Sequence, residues 1–104
     1  MTEHRADVIV IGAGIVGAMC AFFATKAGLK TIVIDRGAIA SGTTGAGEGN
    51  IMVSDKSPGP ELELALLSRD LWFDVGNEVG DSFELVAKGG LSIARRDPAS
   101  LFGL

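Results

Sequence analysis

The fold of this chain is decided by residues 7–17, DVIVIGAGIVG, in which an apolar run ends in three closely spaced glycines. An apolar run without alternation is typical of a buried parallel strand, here predicted over 7–11. Gly12 allows a tight turn out of this strand, and Gly14 lets the main chain approach a ligand where a side chain would collide. Gly17 permits the following helix to pack closely on the strand.

A second strand and an acid follow this glycine turn. The helix is predicted over 14–27 with Gly28 just past its end, and a second apolar strand is predicted over 31–35, closing with Asp35. This order of elements is the βαβ unit that binds dinucleotides. Unpaired amides at the helix start would face a diphosphate, and Asp35 would accept hydrogen bonds from an adenosine ribose. We expect the amides of residues 12–17 to face this ligand and not the protein's own side chains; the alternative is a buried βαβ unit without a ligand.

The composition excludes several other classes of protein. The chain has 104 residues, of which 47% are hydrophobic and 21% charged, and its net charge is −4. An acidic chain without a basic cluster is not expected to bind nucleic acid or an anionic membrane. One cysteine and one histidine exclude a disulfide framework and give no reason to expect a metal site. Cys20 lies on the first predicted helix, and we expect it to be a small core thiol. Residues 8–25 are uncharged, but the adjacent Asp7 and the glycines in the run argue against a membrane span or a signal peptide, so we expect a cytoplasmic protein.

The segment 41–50, SGTTGAGEGN, combines four glycines with three hydroxyl residues. A flexible linker has this composition. The segment directly follows the βαβ unit, however, and small residues let main chain lie against a large planar or phosphorylated ligand. We therefore favour a ligand-contacting loop. Its one charged residue, Glu48, would either influence a bound ligand or pair locally.

The second half of the chain is predicted to contain a long helix and a hairpin. Pro60 suits the first helical position, and the helix should run over 61–79 with Trp72 in the core. Its apolar residues lie on two faces, so we expect both faces to be covered, with the helix between layers or domains. Residues 83–86 and 91–94 alternate at period two on either side of a glycine pair, which predicts a β-hairpin.

The chain ends with the start of a further predicted helix at Asp97, which a proline follows. Two parallel strands do not complete an open α/β sheet, so the sequence predicts an incomplete α/β domain, the N-terminal part of a larger protein. Its predicted parts are a βαβ unit with its loop, a connecting helix and the start of another domain, at 1–57, 58–80 and 81–104. Exposed apolar faces and sheet edges on such a chain favour self-association or a second chain that completes the fold.

The residues leave the identity of the dinucleotide open between NAD and FAD, because both carry a pyrophosphate and an adenosine ribose. NADP is less favoured since Asp35 would repel a 2′-phosphate, although Arg36 beside it keeps this cofactor open. The small-residue loop at 41–50 favours FAD, which needs a long path of main-chain contacts between its pyrophosphate and its flavin ring.

The segment 7–35, with Arg36 and the loop at 41–50, resembles the N-terminus of the D-amino-acid oxidase family of FAD-dependent oxidoreductases, which includes glycine oxidase and sarcosine oxidase. The resemblance covers nearly the whole chain and implies a Rossmann-like unit followed by the first part of an α+β substrate domain. It also implies oxidation of an amino acid or secondary amine by hydride transfer to flavin N5. The catalytic groups would lie in the later substrate domain, so no catalytic residue is assigned. We expect the chain alone to be inactive and to bind FAD weakly or not at all.

By the same resemblance, cofactor contacts fall on definite positions of this chain. Amides at the start of the first helix would bind the pyrophosphate, the acid after the second strand would hold the ribose, and the neighbouring arginine would lie near the adenine. The loop threonines would reach the phosphates, and the end of the loop would line the flavin ring. The predicted FAD contacts are Gly12, Gly14, Ile15, Val16, Gly17, Asp35, Arg36, Thr43, Thr44, Glu48, Gly49 and Asn50.

The sequence is also compatible with two other functions. One is a fragment of an NAD(H)-dependent oxidoreductase, since the βαβ unit suits that cofactor equally well. The other is a non-catalytic, truncated or split-chain module whose exposed apolar faces associate with another chain.

Overall fold

The computed structural model of the chain describes residues 2–93 together with 95, 97 and 99. The chain forms two compact units, Met1–Asn50 and Ile51–Leu104.

The first unit is a βαβ arrangement. Strand β1 spans Val8–Ile11, helix α1 spans Ile15–Lys26, and strand β2 spans Thr31–Ile34. The two strands pair in parallel with Val8 opposite Thr31 and each following residue in register. The predicted strand–helix–strand order is confirmed, and each element ends within one residue of its predicted bounds. The prediction that the first strand is buried is wrong within the described residues, where Ile9 and Ile11 are 61% and 83% exposed, because only one face of the two-stranded sheet is covered by α1.

Local chemistry accounts for both ends of this arrangement. Asp7 joins the strand starts, because its amide donates to the Lys30 carbonyl at 2.8 Å and its Oδ2 accepts the Lys30 amide at 2.8 Å. At the far end of α1, Gly28 adopts a φ of +85°, a left-handed conformation that glycine takes without strain. Lys26 lies in the last turn, where a cation stabilises the negative end of the helix dipole.

A short helix that the sequence did not predict follows β2. Helix α2 spans Thr43–Ala46 and has a glycine at each end, Gly42 before it and Gly47 after it. The segment predicted as a loop is therefore partly helical. A single turn of helix carries too few residues for a periodic pattern, so the pattern of side chains gives no signal for it.

The second unit is built on helix α3, which spans Pro60–Val79 and is followed by a 3₁₀ turn over Gly80–Phe83. Pro60 occupies the first turn as predicted, and acids at 61 and 63 suit the positive end of the helix dipole. Val75 is buried, and the Trp72 ring lies 5.7 Å from the Phe83 ring at an interplanar angle of 54°. The 3₁₀ turn thus returns Phe83 onto the helix and covers part of one face, consistent with a packing role for Trp72.

Two other predictions for this unit, the coverage of α3 and the β-hairpin, differ from the structure. Both predicted apolar faces of α3 were expected to be covered, but Leu64 and Leu67 are 68% and 57% exposed within the described chain. The hairpin predicted from residues 83–94 is wrong over the described residues 84–93, which contain no strand. Phe83 is held in the 3₁₀ turn, and a hairpin of this size is at best marginally stable unless a sheet or helix packs on it.

Two further expectations concern the chain end and membranes. The helix predicted from Asp97 lies largely outside the described residues; within them, Asp97 Oδ1 accepts the Ala99 amide at 3.0 Å. Across the described residues, no helix is both long and apolar enough to cross a bilayer. The described residues also contain no group of three or more His, Cys, Asp or Glu side chains that could hold a metal ion.

Candidate functional site

The glycine turn between β1 and α1 has the geometry that its sequence requires. Gly12 has a φ of +108°, which a residue with a side chain rarely adopts, and its amide donates to the Ile34 carbonyl at 2.8 Å. A Cβ at Gly17 would collide with the Gly12 carbonyl oxygen and would lie 3.2 Å from Val10 Cγ1. The absence of side chains at these two positions therefore lets α1 begin directly against the end of β1.

Asp35 ties the end of β2 to this turn. Its Oδ2 accepts the Ala13 amide at 2.7 Å, and its Oδ1 accepts the Gly37 amide at 2.8 Å. These main-chain hydrogen bonds, that from Ala13 foremost, lower the pKa of Asp35 below its ordinary value of 3.8. The carboxylate is exposed and therefore keeps free lone pairs, since two ionised oxygens offer about four acceptor positions. It can hold the turn and still accept a hydrogen bond from a sugar hydroxyl.

The segment after β2 folds back onto the same turn. The Ala40 amide donates to the Ala13 carbonyl at 3.1 Å, and Thr44 Oγ1 accepts the Ile15 amide at 3.0 Å. A Cβ at Gly14 would lie 2.9 Å from Thr44 Oγ1, and a Cβ at Gly45 would collide with the Ala40 carbonyl oxygen. Glycines on both sides of the contact therefore allow the approach. This part of the segment is therefore packed on the turn, which a flexible linker would not be.

Several main-chain amides of the glycine turn donate to acceptors within the protein, contrary to the prediction from the sequence. The expectation that the amides of residues 12–17 face a ligand is wrong for three of them. Gly12 donates to the Ile34 carbonyl, and Ala13 and Ile15 donate to the side chains of Asp35 and Thr44. The physical reason is that exposed amides at a helix start are strong donors, and nearby acceptors satisfy them. The first-turn amides of Val16 and Gly17 have no acceptor within the helix, as in every α-helix, and remain available to an anion.

An open apolar cavity lies next to the turn. Its volume is about 410 Å³, and its wall includes Val10, Ile11, Val16, Cys20 and Thr44. Cys20 is exposed here, so its interpretation as a buried core thiol is wrong. The cavity joins the glycine turn at one end, which places polar main-chain donors beside an apolar surface. A ligand with a charged diphosphate and an apolar ring system has both features.

The remaining predicted contacts are only partly brought together. Arg36 is exposed beside Asp35, and Thr43 begins α2 next to Thr44. Asn50 Nδ2 donates to Glu48 Oε2 at 3.2 Å, so Glu48 pairs locally, as one of the two interpretations expected. Gly49 lies between these two residues and is exposed. The sequence missed the main-chain role of Asp35 and the capping role of Thr44, because both depend on loop contacts that have no periodic signal.

The comparison with protein families identifies one match. Residues 7–103 match the family described as DAO, FAD dependent oxidoreductase. The match covers nearly the entire chain and includes the glycine turn, both strands and α3.

Two curated relatives agree with this match. The chain is 30% identical to a glycine oxidase of Geobacillus kaustophilus (strain HTA426) over 97 residues, which are 88% of this chain and 26% of that protein. It is 33% identical to a glycine oxidase of Bacillus licheniformis over 97 residues, 91% of this chain and 25% of that protein. The chain thus spans about a quarter of the length of these relatives. No solved structure matches it.

Proposed function

The chain belongs to the DAO family of FAD-dependent oxidoreductases, and from this premise we propose that it forms the adenosine-diphosphate end of an FAD site. The complete protein that such a segment serves would oxidise an amino acid or a secondary amine. One observation carries the proposal: the glycine turn, the Asp35 carboxylate and the Thr44 hydroxyl lie in direct hydrogen-bonding contact.

The residues present fit the diphosphate part of FAD. Gly12 and Gly14 carry no side chain, and a Cβ at Gly12 would meet no atom within 4 Å, so the space over the turn is open. The amides of Ile15 and Val16 begin α1, where the positive end of the helix dipole suits a phosphate. That of Val16 has no acceptor within the helix, whereas that of Ile15 donates to Thr44 Oγ1 and would have to leave it to bind a phosphate. Gly17 keeps this helix start against β1.

The sugar and ring contacts are assigned by position along the chain. Asp35 would accept from the ribose through its remaining lone pairs, and Arg36 would lie near the adenine. Thr43 and Thr44 would lie at the phosphates, and the segment 48–50 would line the flavin ring. FAD, when bound, supplies a two-electron acceptor at flavin N5. The part of this chain is to bind and orient that cofactor, and no catalytic residue is assigned to it.

The names of the relatives support the amine part of the proposal. Both are glycine oxidases, and glycine is the smallest amino acid, so an amino acid or small secondary amine is the substrate class we propose. Neither the family nor the relatives favour a fragment of an NAD(H)-dependent enzyme.

The test is a titration of the full chain, labelled with ¹⁵N, with FAD and with ADP. Both ligands should shift the amide signals of residues 12–17 in a saturable, weak manner, and FAD alone should also shift those of 48–50. Gly14→Ala should weaken both responses, because a side chain at this position of the turn would obstruct the approach of the main chain to a phosphate. Gly42→Ala is the matched control, since a Cβ there meets nothing within 4 Å.

Three results would contradict the proposal. The first is a folded chain whose signals for 12–17 do not respond to ADP at any concentration, since the glycine turn would then not bind a diphosphate. The second is NADH shifting 48–50 at lower concentration than FAD. The third is oxidation of glycine or sarcosine by the purified chain with FAD, which would show that catalytic groups lie within these residues.

A further inference from the structure

Thr44 caps a helix to which it does not belong. Its Oγ1 accepts the amide of Ile15, the first residue of α1, at 3.0 Å. Gly14 occupies the N-cap position of α1 and has no side chain with which to cap it. Thr44 therefore supplies from α2 a side-chain acceptor for the first amide of α1, much as a serine or threonine at the N-cap supplies one for the second or third amide of its own helix.

The same amide is one that a diphosphate needs. A phosphate oxygen bound at the helix start must lie within about 3.2 Å of the nitrogen and near the N–H direction. Thr44 Oγ1 already occupies that position at Ile15. One N–H group cannot make a short, nearly linear hydrogen bond to two oxygens at once. Thr44 Oγ1 and a phosphate oxygen therefore compete for the Ile15 amide.

The surroundings of Thr44 permit it to be released. Helix α2 is a single turn with no buried residue, and glycines stand at both of its ends. The segment just before it is fixed independently, because the Ala40 amide donates to the Ala13 carbonyl at 3.1 Å. A rotation of the Thr44 side chain or a small movement of α2 can therefore break the cap while the segment stays attached to the turn.

We propose that Thr44 is a displaceable cap, an inference that rests on the proposed function. A diphosphate entering the glycine turn takes over the Ile15 amide, and the Thr44 hydroxyl is released from it. Once released, the hydroxyl can donate to a phosphate oxygen, as an O–H donor can. The contact thus protects the helix start when the site holds no diphosphate and gives way to a ligand of that chemistry.

The test measures hydrogen exchange at the Ile15 amide in the full chain, with and without saturating ADP. Thr44→Val keeps the shape of the side chain but removes its hydroxyl, and Thr44→Ser keeps the hydroxyl. Loss of a cap should make the Ile15 amide of Thr44→Val exchange about fivefold faster than in the original chain when no ADP is added. Thr25→Val, the same substitution in the last turns of α1, is the matched control and should leave this rate unchanged.

Added ADP should abolish the difference between Thr44→Val and the original chain, because the phosphate then protects the amide in both. A fivefold difference that persists in saturating ADP would overturn the displacement while leaving diphosphate binding intact. Equal exchange of the two proteins without ADP would overturn the cap itself. If no protein shows saturable ADP binding, the proposed function fails, and the displacement fails with it. Should Thr44→Val not fold, the Thr44 methyl signal of the original chain decides: it should shift in step with the Ile15 amide as ADP is added.

Discussion

Replacing Gly17 by alanine tests the close packing of α1 on β1 that shapes the whole site. A Cβ at this position would collide with the Gly12 carbonyl oxygen, and it would lie 3.0 Å from the Gly12 carbonyl carbon and 3.2 Å from Val10 Cγ1. The first two obstacles are main-chain atoms of the glycine turn. They cannot rotate away as the end of a side chain can, so the substitution forces the helix and the turn apart.

The expected magnitude follows from two opposing effects. Alanine in place of glycine within a helix stabilises the folded state by about 0.5–1 kcal/mol. Inserting a methyl group into a filled contact costs about 1–3 kcal/mol when the backbone must shift, and here the carbonyl must retreat by about 1 Å or more. The second effect exceeds the first. We expect a net loss of about 1–2 kcal/mol, roughly a fivefold to thirtyfold change in the unfolding equilibrium.

The assay is urea unfolding followed by two signals. Far-ultraviolet circular dichroism reports on α1 and α3 together, whereas Trp72 fluorescence reports on the unit Ile51–Leu104, which does not contain Gly17. Gly17→Ala should lower the urea midpoint measured by circular dichroism. The fluorescence of Trp72 gives a second midpoint against which that change is compared.

The matched control is Gly76→Ala in α3. A Cβ there would lie 2.9 Å from Leu85 Cδ2, the end of a flexible side chain, so the clash is relieved cheaply. This variant should be neutral or more stable by up to about 1 kcal/mol. Unchanged stability in Gly17→Ala, with unchanged amide signals for residues 12–17, would refute the reasoning, because it would show that the close contact is not required.

Three other predictions concern acid, aromatic packing and association. The pKa of Asp35 is lowered in the folded chain, so its contribution to stability is present above its ordinary pKa and is lost as the pH falls through the lowered value. The urea midpoint should therefore fall as the pH drops below about 3.8 in the original chain, and it should fall less in Asp35→Asn. Phe83→Ala should shift the Trp72 emission to longer wavelength and cost about 1–2 kcal/mol, less than a fully buried phenylalanine because Phe83 is 37% exposed. Glutamate at both Leu64 and Leu67 should lower the sedimentation coefficient if the exposed face of α3 mediates self-association, whereas an unchanged value would contradict that role.

The sequence predicted the elements whose signals are local. Each of these signals favours one local structure. The unbroken apolar runs predict β1 and β2, the glycines predict the turn, and the proline predicts the start of α3. Their predicted bounds agree with the structure to within one residue. The family resemblance, drawn from the same residues, is confirmed by the match over residues 7–103.

The features that the sequence did not predict depend on contacts between distant segments. Thr44 reaches Ile15 across 29 positions, and Asp35 reaches Ala13 across 22, so neither hydrogen bond leaves a periodic trace. The hairpin prediction relied only on the alternation of apolar and polar residues. That alternation indicates which face of a strand would be buried, but it does not show that another element packs on that face. Assigning the roles of Asp35 and Thr44 required the fold of the loop after β2.

The central claim is that the glycine turn recognises a diphosphate, and the most direct test compares the affinities of ADP and AMP for the full chain by isothermal titration calorimetry. A second phosphate at the helix start should add at least one charge-assisted hydrogen bond, so ADP should bind about tenfold or more tightly than AMP. This advantage should shrink in Gly14→Ala and persist in Gly42→Ala. Equal affinities for ADP and AMP in the original chain would contradict the account, because the turn would then contribute nothing to phosphate recognition.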